Sequence, residues 1–442
     1  MQSQPLEIAV IGSGISGLSC AWLLSTRHRV TLFEKDHRFG GHSHTVKVKG
    51  RHDDISVDTG FIVFNERTYP NLTRFFQHLN VKTRATDMSF GVSLEGGKTE
   101  YSGTDLNGLF GHRKNLVSPG FWKMLLDVRR FYRDSRRWLE EMNESVTLGQ
   151  LLAENSFSQR FINEHIIPMG AAIWSTPAEQ MLDYPALAFL RFCQNHGLLQ
   201  LSNRPQWRTV VGGSGVYVEK IIESLGSQAL CNRCISKVKR YDDGVVVFDR
   251  QGDEWAFDHV VMATHADITL ELLDEPDEQE QSILKAFPYQ RNKAVLHSDT
   301  RLMPCSNRVW SSWNYMGGNK DQGPSVTYWM NHLQHIDDIP LFVSLNPLVE
   351  PEQNKIHGCY LYDHPVFTRH AIAAQQKIWE LQGRRRTWYC GAYMGHGFHE
   401  DGLQAGLATA EKLGEVKRPW RIANESYRLA LPARGWDTGM TL

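Results

Sequence analysis

The chain has 442 residues, more than one ordinary hydrophobic core holds, so at least two domains are expected. Hydrophobic residues make up 41% and charged residues 22%, which argues against extended disorder. The formal net charge of -1 gives no reason to expect a nucleic-acid partner, and no run of about 18 apolar residues predicts a transmembrane helix.

The N-terminus and the cysteines indicate a cytoplasmic location. Residues 1–14 lack the basic and then apolar layout of a signal peptide. The seven cysteines are an odd number and are scattered, as is usual in a reducing compartment. Cys231 and Cys234 form a C-x-x-C without a partner pair, so no metal site is expected.

The first predicted element is a buried strand at residues 8–11 that leads through a glycine turn into a helix. Gly12, Gly14 and Gly17 have G-x-G-x-x-G spacing, and a second strand ends at Glu34, about 20 residues after Gly14. These glycines allow a tight turn, close approach of a pyrophosphate and close helix–strand packing. Glu34 would bind a ribose 2′-hydroxyl and disfavour the 2′-phosphate of NADP. The predicted dinucleotide contacts here are Gly12, Ser13, Gly14, Ile15, Ser16, Gly17, Glu34 and Lys35.

A second glycine pair follows in "EKDHRFGGHSHT". An NAD domain does not need glycines there, whereas an extended FAD must pass this backbone on its way to a second domain. Another turn for close approach follows in "VDTGFIVF", at Asp58 to Gly60. The pattern therefore favours FAD, with predicted contacts at Arg38, Gly40, Gly41, His42, Thr59, Gly60 and Phe61.

This succession of motifs resembles the flavin-containing amine oxidoreductase superfamily, which includes monoamine oxidases, protoporphyrinogen oxidases and phytoene desaturases. Its signature is a glycine loop, an acid, R-x-G-G-R and a D-x-G turn. His42 stands where the family usually has its second arginine, so the local phosphate or flavin contact falls to His42 or Arg38. The resemblance implies FAD, bound non-covalently because no cysteine motif for covalent attachment is evident.

Near the end of the chain, "CGAYMGHGFHEDGLQAGLATA" begins as a glycine loop and continues as a helix. By the resemblance, this segment closes over the flavin. Gly391 would lie near the phosphate and ribityl groups, and Asp401, Gly402 and Leu403 would lie near the pyrimidine side of the ring. The partial positive charge of a helix N-terminus can stabilise reduced flavin. Ala392 replaces the usual acidic or hydroxyl residue.

These segments predict an α/β fold. A Rossmann-like FAD-binding domain, with a parallel sheet and a β-meander, takes residues 1–85, 205–290 and 380–425. An inserted α+β substrate domain on a mixed sheet takes 86–204 and 291–379, and 426–442 form a C-terminal tail. By the resemblance, Val238 in the meander contacts adenine through its backbone, and Ala263 ends a strand that leads under the cofactor.

The substrate class is predicted from two features, the absence of an aromatic residue at an amine-binding position and the presence of a basic segment. Monoamine oxidases hold the amine between two aromatic residues, and one of these positions falls on Leu403. Residues 106–139 interleave arginine and lysine with leucine, phenylalanine and tryptophan. Such a segment can lie at an anionic bilayer interface, on the inner face of the membrane, or it can form a lid or core helix with a solvated basic face.

A closer resemblance also indicates lipid. "GFHEDGLQAGL", "AVLHSDTRLMP", "WSSWNY" and "LNPL" are similar to a bacterial branch of predicted NAD/FAD-binding proteins. That branch is associated with fatty-acyl methyltransferases of the cyclopropane-synthase type and with furan fatty acid formation. The resemblance implies dehydrogenation of a methylated, unsaturated acyl chain of a membrane phospholipid by hydride transfer to flavin N5, with such a methyltransferase as a partner.

The sequence leaves the function and the catalytic residues open. An amine or polyamine oxidase that makes hydrogen peroxide is the first alternative, and a non-catalytic FAD-containing scaffold is the second. Lys293 aligns loosely with the lysine that holds a water at flavin N5 in several family oxidases. His297 and His399 are alternative proton acceptors. Each of the three also has an ordinary structural interpretation.

Overall fold

The computed structural model describes residues 4–143, 146–174, 181–195, 197–200, 204–317 and 325–432. Residues 433–442 of the predicted tail lie outside the described residues. Within the described part, no helix combines the length and apolarity needed to cross a bilayer.

The described residues form strands and helices, with runs of strands separated by one or two helices and one long helical run between residues 102 and 207. In chain order the strands are β1 (Glu7–Ile11), β2 (Arg29–Phe33), β3 (Thr45–Lys49), β4 (Asp54–Asp58), β5 (Phe64–Asn65), β6 (Thr83–Thr86), β7 (Phe90–Leu94), β8 (Thr99–Ser102), β9 (Trp207–Val210), β10 (Ala229–Leu230), β11 (Ile235–Arg240), β12 (Val245–Asp249), β13 (Glu254–Phe257), β14 (His259–Met262), β15 (Tyr289–His297), β16 (Trp313–Gly317), β17 (Ser325–Trp329), β18 (Phe342–Leu345), β19 (Ile356–Pro365) and β20 (Thr387–Tyr389). The helices are α1 (Ile15–Leu24), α2 (Pro70–His78), α3 (Leu106–Leu109), α4 (Pro119–Glu141), α5 (Leu148–Glu154), α6 (Gln159–Phe161), α7 (Ile167–Trp174), α8 (Ala186–Asn195), α9 (Gly215–Leu225), α10 (Ala266–Leu272), α11 (Glu278–Leu284), α12 (Met330–Gln334), α13 (Arg369–Gln375) and α14 (His399–Gly414).

A parallel sheet has the strand order β10–β2–β1–β14–β20. Its central strands are short apolar runs that are buried on both faces, as parallel strands under helices usually are. All five strands come from 1–85, 205–290 and 380–425. The antiparallel meander β11–β12–β13 packs on this sheet, where Trp255 and Phe257 contact Phe33 edge-on. The predicted α/β architecture is confirmed.

A seven-stranded sheet forms the second half, with the order β19–β15–β18–β17–β16–β7–β8. Only the β7–β16 pair among these strands is parallel, so the sheet is mixed, as predicted. A helical layer that contains α4 and α8 packs on the β7, β8 and β16 end through a core rich in phenylalanine. The β3–β4 hairpin covers the other end, with Val48 and Val57 packed among Ala294, Leu296 and Leu333.

The two ends of the chain meet where α14 packs against α1. The backbones approach closely because α14 presents glycines at this crossing. A Cβ at Gly406 would overlap the carbonyl oxygen of Ser16 and the hydroxyl of Ser19. A Cβ at Gly402 would lie 2.8 Å from both Ile15 and the Ser16 hydroxyl. The C-terminal helix therefore lies directly beside the helix that follows the first glycine loop.

The segment after α14 is anchored by buried arginines, which no motif in the sequence predicts. Arg418 pairs with Glu411 at 2.8 Å, and its side chain is 1% exposed. Arg428 pairs with Asp401 at 3.3 Å, and its side chain is also 1% exposed. The first residues of the predicted tail are therefore part of the packed structure around the start of α14.

Candidate active site

The first glycine loop has the geometry that its spacing predicts. Gly12 has φ +103°, and a Cβ there would lie 2.8 Å from the Ala263 carbonyl oxygen. A Cβ at Gly17 would overlap the Gly12 carbonyl. At Gly14, by contrast, nothing lies within 4 Å of the Cβ position. The loop is thus closed on the protein side and open above Gly14, where a phosphate would approach.

The N-terminus of α1 is suited to an anion. No side chain in the described residues caps this helix, and its first residues Ile15, Ser16 and Gly17 are buried. The first intrahelical hydrogen bond is from the Leu18 N–H to the Gly14 carbonyl, so the preceding N–H groups have no intrahelical partner. Such a helix end is a ready site for phosphate.

Glu34 ends β2 next to this loop, and it is 8% exposed. Its carboxylate accepts hydrogen bonds from the Ser13 N–H at 3.0 Å and from the Asp36 N–H at 2.9 Å. This location, beside the loop and close to its backbone, is the one expected of an acid that binds ribose. The neighbouring Lys35 is exposed.

The second glycine pair lies directly on the first loop. The Gly40 N–H donates to the Ser13 carbonyl at 3.1 Å, and a Cβ at Gly41 would lie 3.1 Å from the Cα of Gly14. Close by, Arg38 Nη1 and His42 Nε2 are buried without a hydrogen-bond partner among the described residues. Buried donors without partners are costly, so both groups are suited to a cofactor oxygen. These are the two residues that the sequence offered as alternatives for the local phosphate or flavin contact.

The D-T-G turn runs beside the same loop. A Cβ at Gly60 would overlap the His42 carbonyl, and the Phe61 N–H donates to that carbonyl at 2.7 Å. Thr59 contacts the Tyr362 hydroxyl at 2.7 Å, which joins the turn to β19 of the mixed sheet. Burial raises the pKa of Asp58 to about 6, although Thr45, Ser214 and Gln334 all donate to its carboxylate.

The C-terminal loop reaches the site through β20. The Cys390 N–H donates to Met262 at the end of β14, which places Gly391, in extended conformation, at the carboxyl edge of the parallel sheet. Farther on, the Leu403 side chain is fully buried in the core and Gly402 packs on α1. Asp401 accepts from the Phe398 N–H at 2.9 Å and keeps one buried oxygen without a partner.

His399, the first residue of α14, joins the three loops. Its ring stacks on Phe61 with centroids 3.8 Å apart and planes 10° apart. Its Nε2 lies 2.8 Å from the Ser43 hydroxyl and 3.1 Å from the Tyr217 hydroxyl. Burial lowers the pKa of His399 to about 3, which makes it a weak proton acceptor. The geometry gives it a positioning role in place of the expected catalytic one.

The structure does not bring Lys293 or His297 to His399. Lys293 Nζ pairs with Glu350 at 2.7 Å, and the two side chains are 40% and 66% exposed. On β15, Lys293 is opposite Leu361, whereas the preceding Asn292 is opposite Tyr362. Because Tyr362 contacts Thr59 and side chains alternate along a strand, Lys293 lies on the sheet face away from the FAD loops.

His297 is five residues beyond Asn292 on β15, about 17 Å away at the usual strand rise. It is fully buried, its Nδ1 accepts from the Asp299 N–H at 3.1 Å, and its Nε2 lies 2.8 Å from the Ser344 hydroxyl. Both ring nitrogens therefore have protein partners, so the structure favours a structural role over the catalytic one predicted.

The residues of the mixed sheet that do face the FAD loops were missed. Asn292 donates to His364 Nδ1 at 2.9 Å, and Tyr362 lies 2.9 Å from His44 Nδ1. The His42 ring lies 5.0 Å from Tyr362 and 5.3 Å from His364, centroid to centroid. Their sequence signal is the alternation in "CYLYDHP", which puts every second residue on one face of the strand.

The predicted adenine contact, Val238, is engaged within the protein. Val238 is fully buried, and its carbonyl accepts from the Asp274 N–H at 3.0 Å, so its backbone is already engaged. The meander comes close to Glu34 several residues earlier, where the Arg233 N–H donates to the Glu34 carbonyl at 2.8 Å. Cys231 also contacts this strand end, at the Asp36 carbonyl. The backbone of residues 233–235 is thus better placed for adenine than Val238.

The site and its surroundings contain several neutral histidines. Burial lowers the pKa of His364 to about 4 and that of His44 to about 4, and it lowers the pKa of His42 well below its ordinary value. His165, inside the helical layer between Tyr101 and Tyr132, is similar, because burial lowers its pKa to about 4. These rings are uncharged at neutral pH.

The lowered pKa values of these histidines predict that the folded protein loses stability at acidic pH. Between pH 6.5 and about 4 the unfolded chain protonates His165, His364 and His399, whereas the folded protein does not. Their stabilising contribution is therefore complete above pH 6.5 and is lost as the pH falls. Asp58 and Glu400 act in the opposite direction, since burial raises the pKa of both carboxyl groups and favours the folded state at low pH, but they are outnumbered by the buried histidines.

We expect the urea midpoint of the FAD-loaded protein to fall steadily from pH 7 to pH 5. The change should correspond to an uptake on unfolding of roughly one proton per buried histidine, less the protons that the buried carboxyl groups of Asp58 and Glu400 release. His399→Asn should reduce that uptake by about one proton, whereas a change at the exposed His52, such as His52→Asn, should leave it unchanged. A midpoint that is constant down to pH 5 would contradict the expectation.

Together these groups fit a dinucleotide with a pyrophosphate and a ribityl chain. The open space at Gly14, the uncapped α1 and the unpartnered Arg38 and His42 suit the phosphates. Glu34 suits a ribose, and the free oxygen of Asp401 can accept from a hydroxyl. Among the described residues, no group of three or more histidine, cysteine or acidic side chains could hold a metal ion.

Comparison with known sequences agrees with this site. The family profile described as flavin containing amine oxidoreductase matches residues 15–308. The chain is 24% identical over 316 residues to amine oxidase [flavin-containing] A of Canis lupus familiaris, which covers 67% of this chain and 54% of that relative. It is 27% identical over 297 residues to the 15-cis-phytoene desaturase of Capsicum annuum, which covers 62% and 49%. The chain thus spans about half the length of these curated relatives.

Solved structures share the fold. A putrescine oxidase bound to putrescine matches with a TM-score of 0.68 at 14% identity, over 92% of this chain and 99% of that one. Cyclohexylamine oxidase from Brevibacterium oxydans IH-35A has the same TM-score and identity, over 93% and 99%. A CLA-producing fatty acid isomerase from P. acnes matches with a TM-score of 0.63 at 15% identity, over 94% of this chain and 99% of that one. With the cofactor site and the family profile in agreement, the chain belongs to the flavin-containing amine oxidoreductase family, and FAD is its cofactor.

Proposed function

We propose that this protein dehydrogenates a lipid, namely a methylated, unsaturated fatty acyl chain of a membrane phospholipid, to a conjugated diene. The family contains both amine oxidases and desaturases, so the choice depends on the substrate side of the site. The resemblance of the chain to the branch associated with fatty-acyl methylation motivates the particular acyl chain.

The observation that carries the proposal concerns the two carboxylates at the start of α14. Asp401 is paired with the buried Arg428. Glu400 accepts from the N–H groups of Asn71 at 3.0 Å and Leu72 at 2.9 Å, so it caps the N-terminus of α2. The negative charge of each acid is therefore balanced or hydrogen-bonded within the protein, although one buried Asp401 oxygen has no hydrogen-bond partner among the described residues. An ammonium substrate would need a free anion or an aromatic clamp, and by the resemblance one of the two clamp positions falls on Leu403, which is buried and not aromatic.

The surrounding groups favour an uncharged substrate as well. The histidines around the FAD loops are neutral, because burial lowers the pKa of His364 to about 4 and that of His399 to about 3. From the helical layer, Phe192 stacks on Phe398, the residue before His399, at 4.8 Å. Apolar side chains therefore reach the C-terminal loop from the part of the protein that would hold the acyl chain.

In the proposed reaction an allylic C–H bond gives up its hydride and the neighbouring carbon loses a proton, so that a new C=C bond forms. FAD, when bound, supplies the hydride acceptor at N5. The protein orients the chain and excludes bulk water, and a single water admitted to the site would accept the proton and pass it to solvent. His399 holds Phe61 and the second glycine loop in place against α14.

The direct test is anaerobic mixing of the FAD-loaded protein with detergent-dispersed phospholipid that carries a methylated monounsaturated chain. We expect the absorbance of oxidised flavin to bleach and a conjugated diene to appear in the extracted lipid. Putrescine and benzylamine serve as the amine arm. Bleaching by an amine with release of peroxide in air, without bleaching by the lipid, would instead establish an amine oxidase.

A measurement in cells complements the anaerobic assay of the purified protein. Cells that contain a fatty-acyl methyltransferase should accumulate the methylated monoene when this protein is absent and convert it when the protein is present. An unchanged lipid profile would contradict the proposal.

The sheet register predicts which residue of β15 affects turnover. Lys293→Met should leave the rate of flavin bleaching within about twofold, because Lys293 forms an exposed ion pair with Glu350 on the far face. Asn292→Leu should slow bleaching by about tenfold or more, because it removes the partner of His364 beside the FAD loops. Equal FAD content of both variants, measured spectroscopically, is the control, and the reverse ranking would contradict the register.

A further inference from the structure

The start of the helical layer carries an exposed apolar surface. Half of the large exposed hydrophobic residues in the described chain lie within 106–126. We call this group the apolar tip. Its members and their exposed fractions are Leu106 (74%), Leu116 (46%), Val117 (83%), Trp122 (47%) and Leu126 (65%).

The apolar tip is one continuous surface. Trp122 Nε1 donates to the Leu116 carbonyl at 2.9 Å, and the Trp122 ring lies 5.5 Å from that of Phe110. Leu106, Phe110 and Leu116 line one open cleft of about 620 Å³ between α3 and the turn that follows it. Leu126 is one turn after Trp122 on α4 and so shares its face. Contacts within the protein hold the tip together, so it is not a frayed loop.

The segment that carries the apolar tip is predominantly basic, although Asp105 also lines the cleft beside Leu106. Residues 106–139 contain eight arginines and lysines and two aspartates. Both aspartates are already paired, Asp127 with Arg130 at 3.0 Å and Asp134 with Arg133 at 2.8 Å. The exposed basic residues outside these pairs are Arg113, Lys114, Lys123, Arg129, Arg136 and Arg137.

We infer that the apolar tip inserts into the interface of a bilayer that contains anionic phospholipids, while the surrounding arginines and lysines contact the headgroups. The overall charge is near neutral, so this concentration of positive charge around an apolar tip is local to one face. Insertion of apolar side chains and attraction of basic residues to anionic lipid act together at such a surface. This inference extends the proposed function, because it names where a phospholipid substrate would be met.

The position of the tip is consistent with delivery of an acyl chain. The buried face of α4 packs against α8 within the helical layer. On α8, Phe192 stacks on Phe398, which directly precedes His399 of the FAD site. The helical layer therefore connects the membrane-facing tip to the C-terminal flavin loop through apolar side chains.

The test is co-sedimentation of the FAD-loaded protein with vesicles, without any measurement of turnover. We expect binding to vesicles of phosphatidylcholine with phosphatidylglycerol, weaker binding to phosphatidylcholine alone, and a decrease with added salt. The variant Leu106→Ser/Val117→Ser/Leu126→Ser should reduce binding by about tenfold or more. The variant Lys114→Gln/Lys123→Gln/Arg129→Gln should reduce binding to the anionic vesicles and remove most of the salt dependence.

The matched control is Val349→Ser/Leu361→Ser, which removes two large apolar side chains that are 58% and 64% exposed elsewhere. It should bind vesicles like the unmodified protein, and equal thermal stability and FAD content of all variants exclude misfolding. Failure of the unmodified protein to bind anionic vesicles, or equal loss in the control, would overturn the inference. So would dimerisation through the tip, seen by light scattering without vesicle binding.

The outcome separates docking from the proposed function. If the protein binds anionic vesicles through the tip but no lipid bleaches its flavin, docking stands and the proposed reaction fails. If dispersed lipid bleaches the flavin but vesicles are not bound, the reaction stands and the docking inference is overturned.

Discussion

Arg428→Met is expected to destabilise the protein by about 3–5 kcal/mol and to weaken FAD binding. The Arg428 side chain is 1% exposed and pairs with Asp401, whose side chain is fully buried. It also donates to the Thr68 carbonyl, and its backbone N–H donates to Gln404 at 3.2 Å. Methionine would fill most of the volume but would leave Asp401 as a buried charge without its cation. FAD binding is expected to weaken because Asp401 caps the helix that starts at His399, beside the FAD loops.

Urea denaturation with a parallel measurement of bound flavin tests this expectation. The double variant Arg428→Met/Asp401→Asn should recover part of the lost stability, because the uncompensated charge is then removed. Arg421→Met is the matched control, since Arg421 belongs to the same C-terminal segment but is exposed. A loss below about 1 kcal/mol for Arg428→Met would show that the pair is not a main anchor of this segment.

Gly406→Ala and Gly14→Ala should have opposite effects on folding and on FAD. A Cβ at Gly406 overlaps the Ser16 carbonyl and the Ser19 hydroxyl, so α14 must move away from α1. We expect a loss of about 3 kcal/mol, larger than the gain of about 1 kcal/mol in helix propensity. At Gly14 nothing lies within 4 Å of the Cβ position and φ is -65°, so alanine should leave the FAD-free protein within about 0.5 kcal/mol.

The added methyl at Gly14 nevertheless occupies the space in which a phosphate approaches the loop. Gly14→Ala should therefore raise the Kd for FAD by about tenfold or more, equivalent to about 1.4 kcal/mol, without loss of the fold. Isothermal titration with FAD and urea denaturation of the FAD-free protein separate the two effects. Normal FAD affinity in Gly14→Ala would mean that the pyrophosphate does not lie over this loop.

The FAD half of the fold could be read from local patterns. The apolar run at residues 8–11, the spacing of Gly12, Gly14 and Gly17 and the acid at Glu34 each follow from the geometry of one strand–turn–helix unit. The second glycine pair was likewise readable, and its geometry agrees, because Gly41 has φ +56° and a Cβ there would lie only 3.1 Å from the Cα of Gly14. Such signals are short in sequence and need no knowledge of distant residues.

The residues of the mixed sheet that face the FAD loops were not readable in the same way. Lys293 and Asn292 are neighbours, and only the pairing of β15 with β19 decides which of them faces the FAD loops. A shift of one residue reverses the face of every side chain in a strand. The adenine contact was likewise not readable from local sequence. The place where the meander approaches Glu34 is set by a long-range hydrogen bond from the Arg233 N–H to the Glu34 carbonyl.

By itself, the sequence determined the class of fold, the cofactor and the segments of the chain that approach the cofactor. Glycine spacing and apolar periodicity are local signals that act within a few residues. Tertiary structure alone decided that α14 crosses α1 at Gly406, that Arg428 in a polar tail becomes a buried ion pair, and that His399 joins three loops. These features depend on contacts between residues that are far apart in the chain. The burial that sets the charge and pKa of each group exists only after those contacts form.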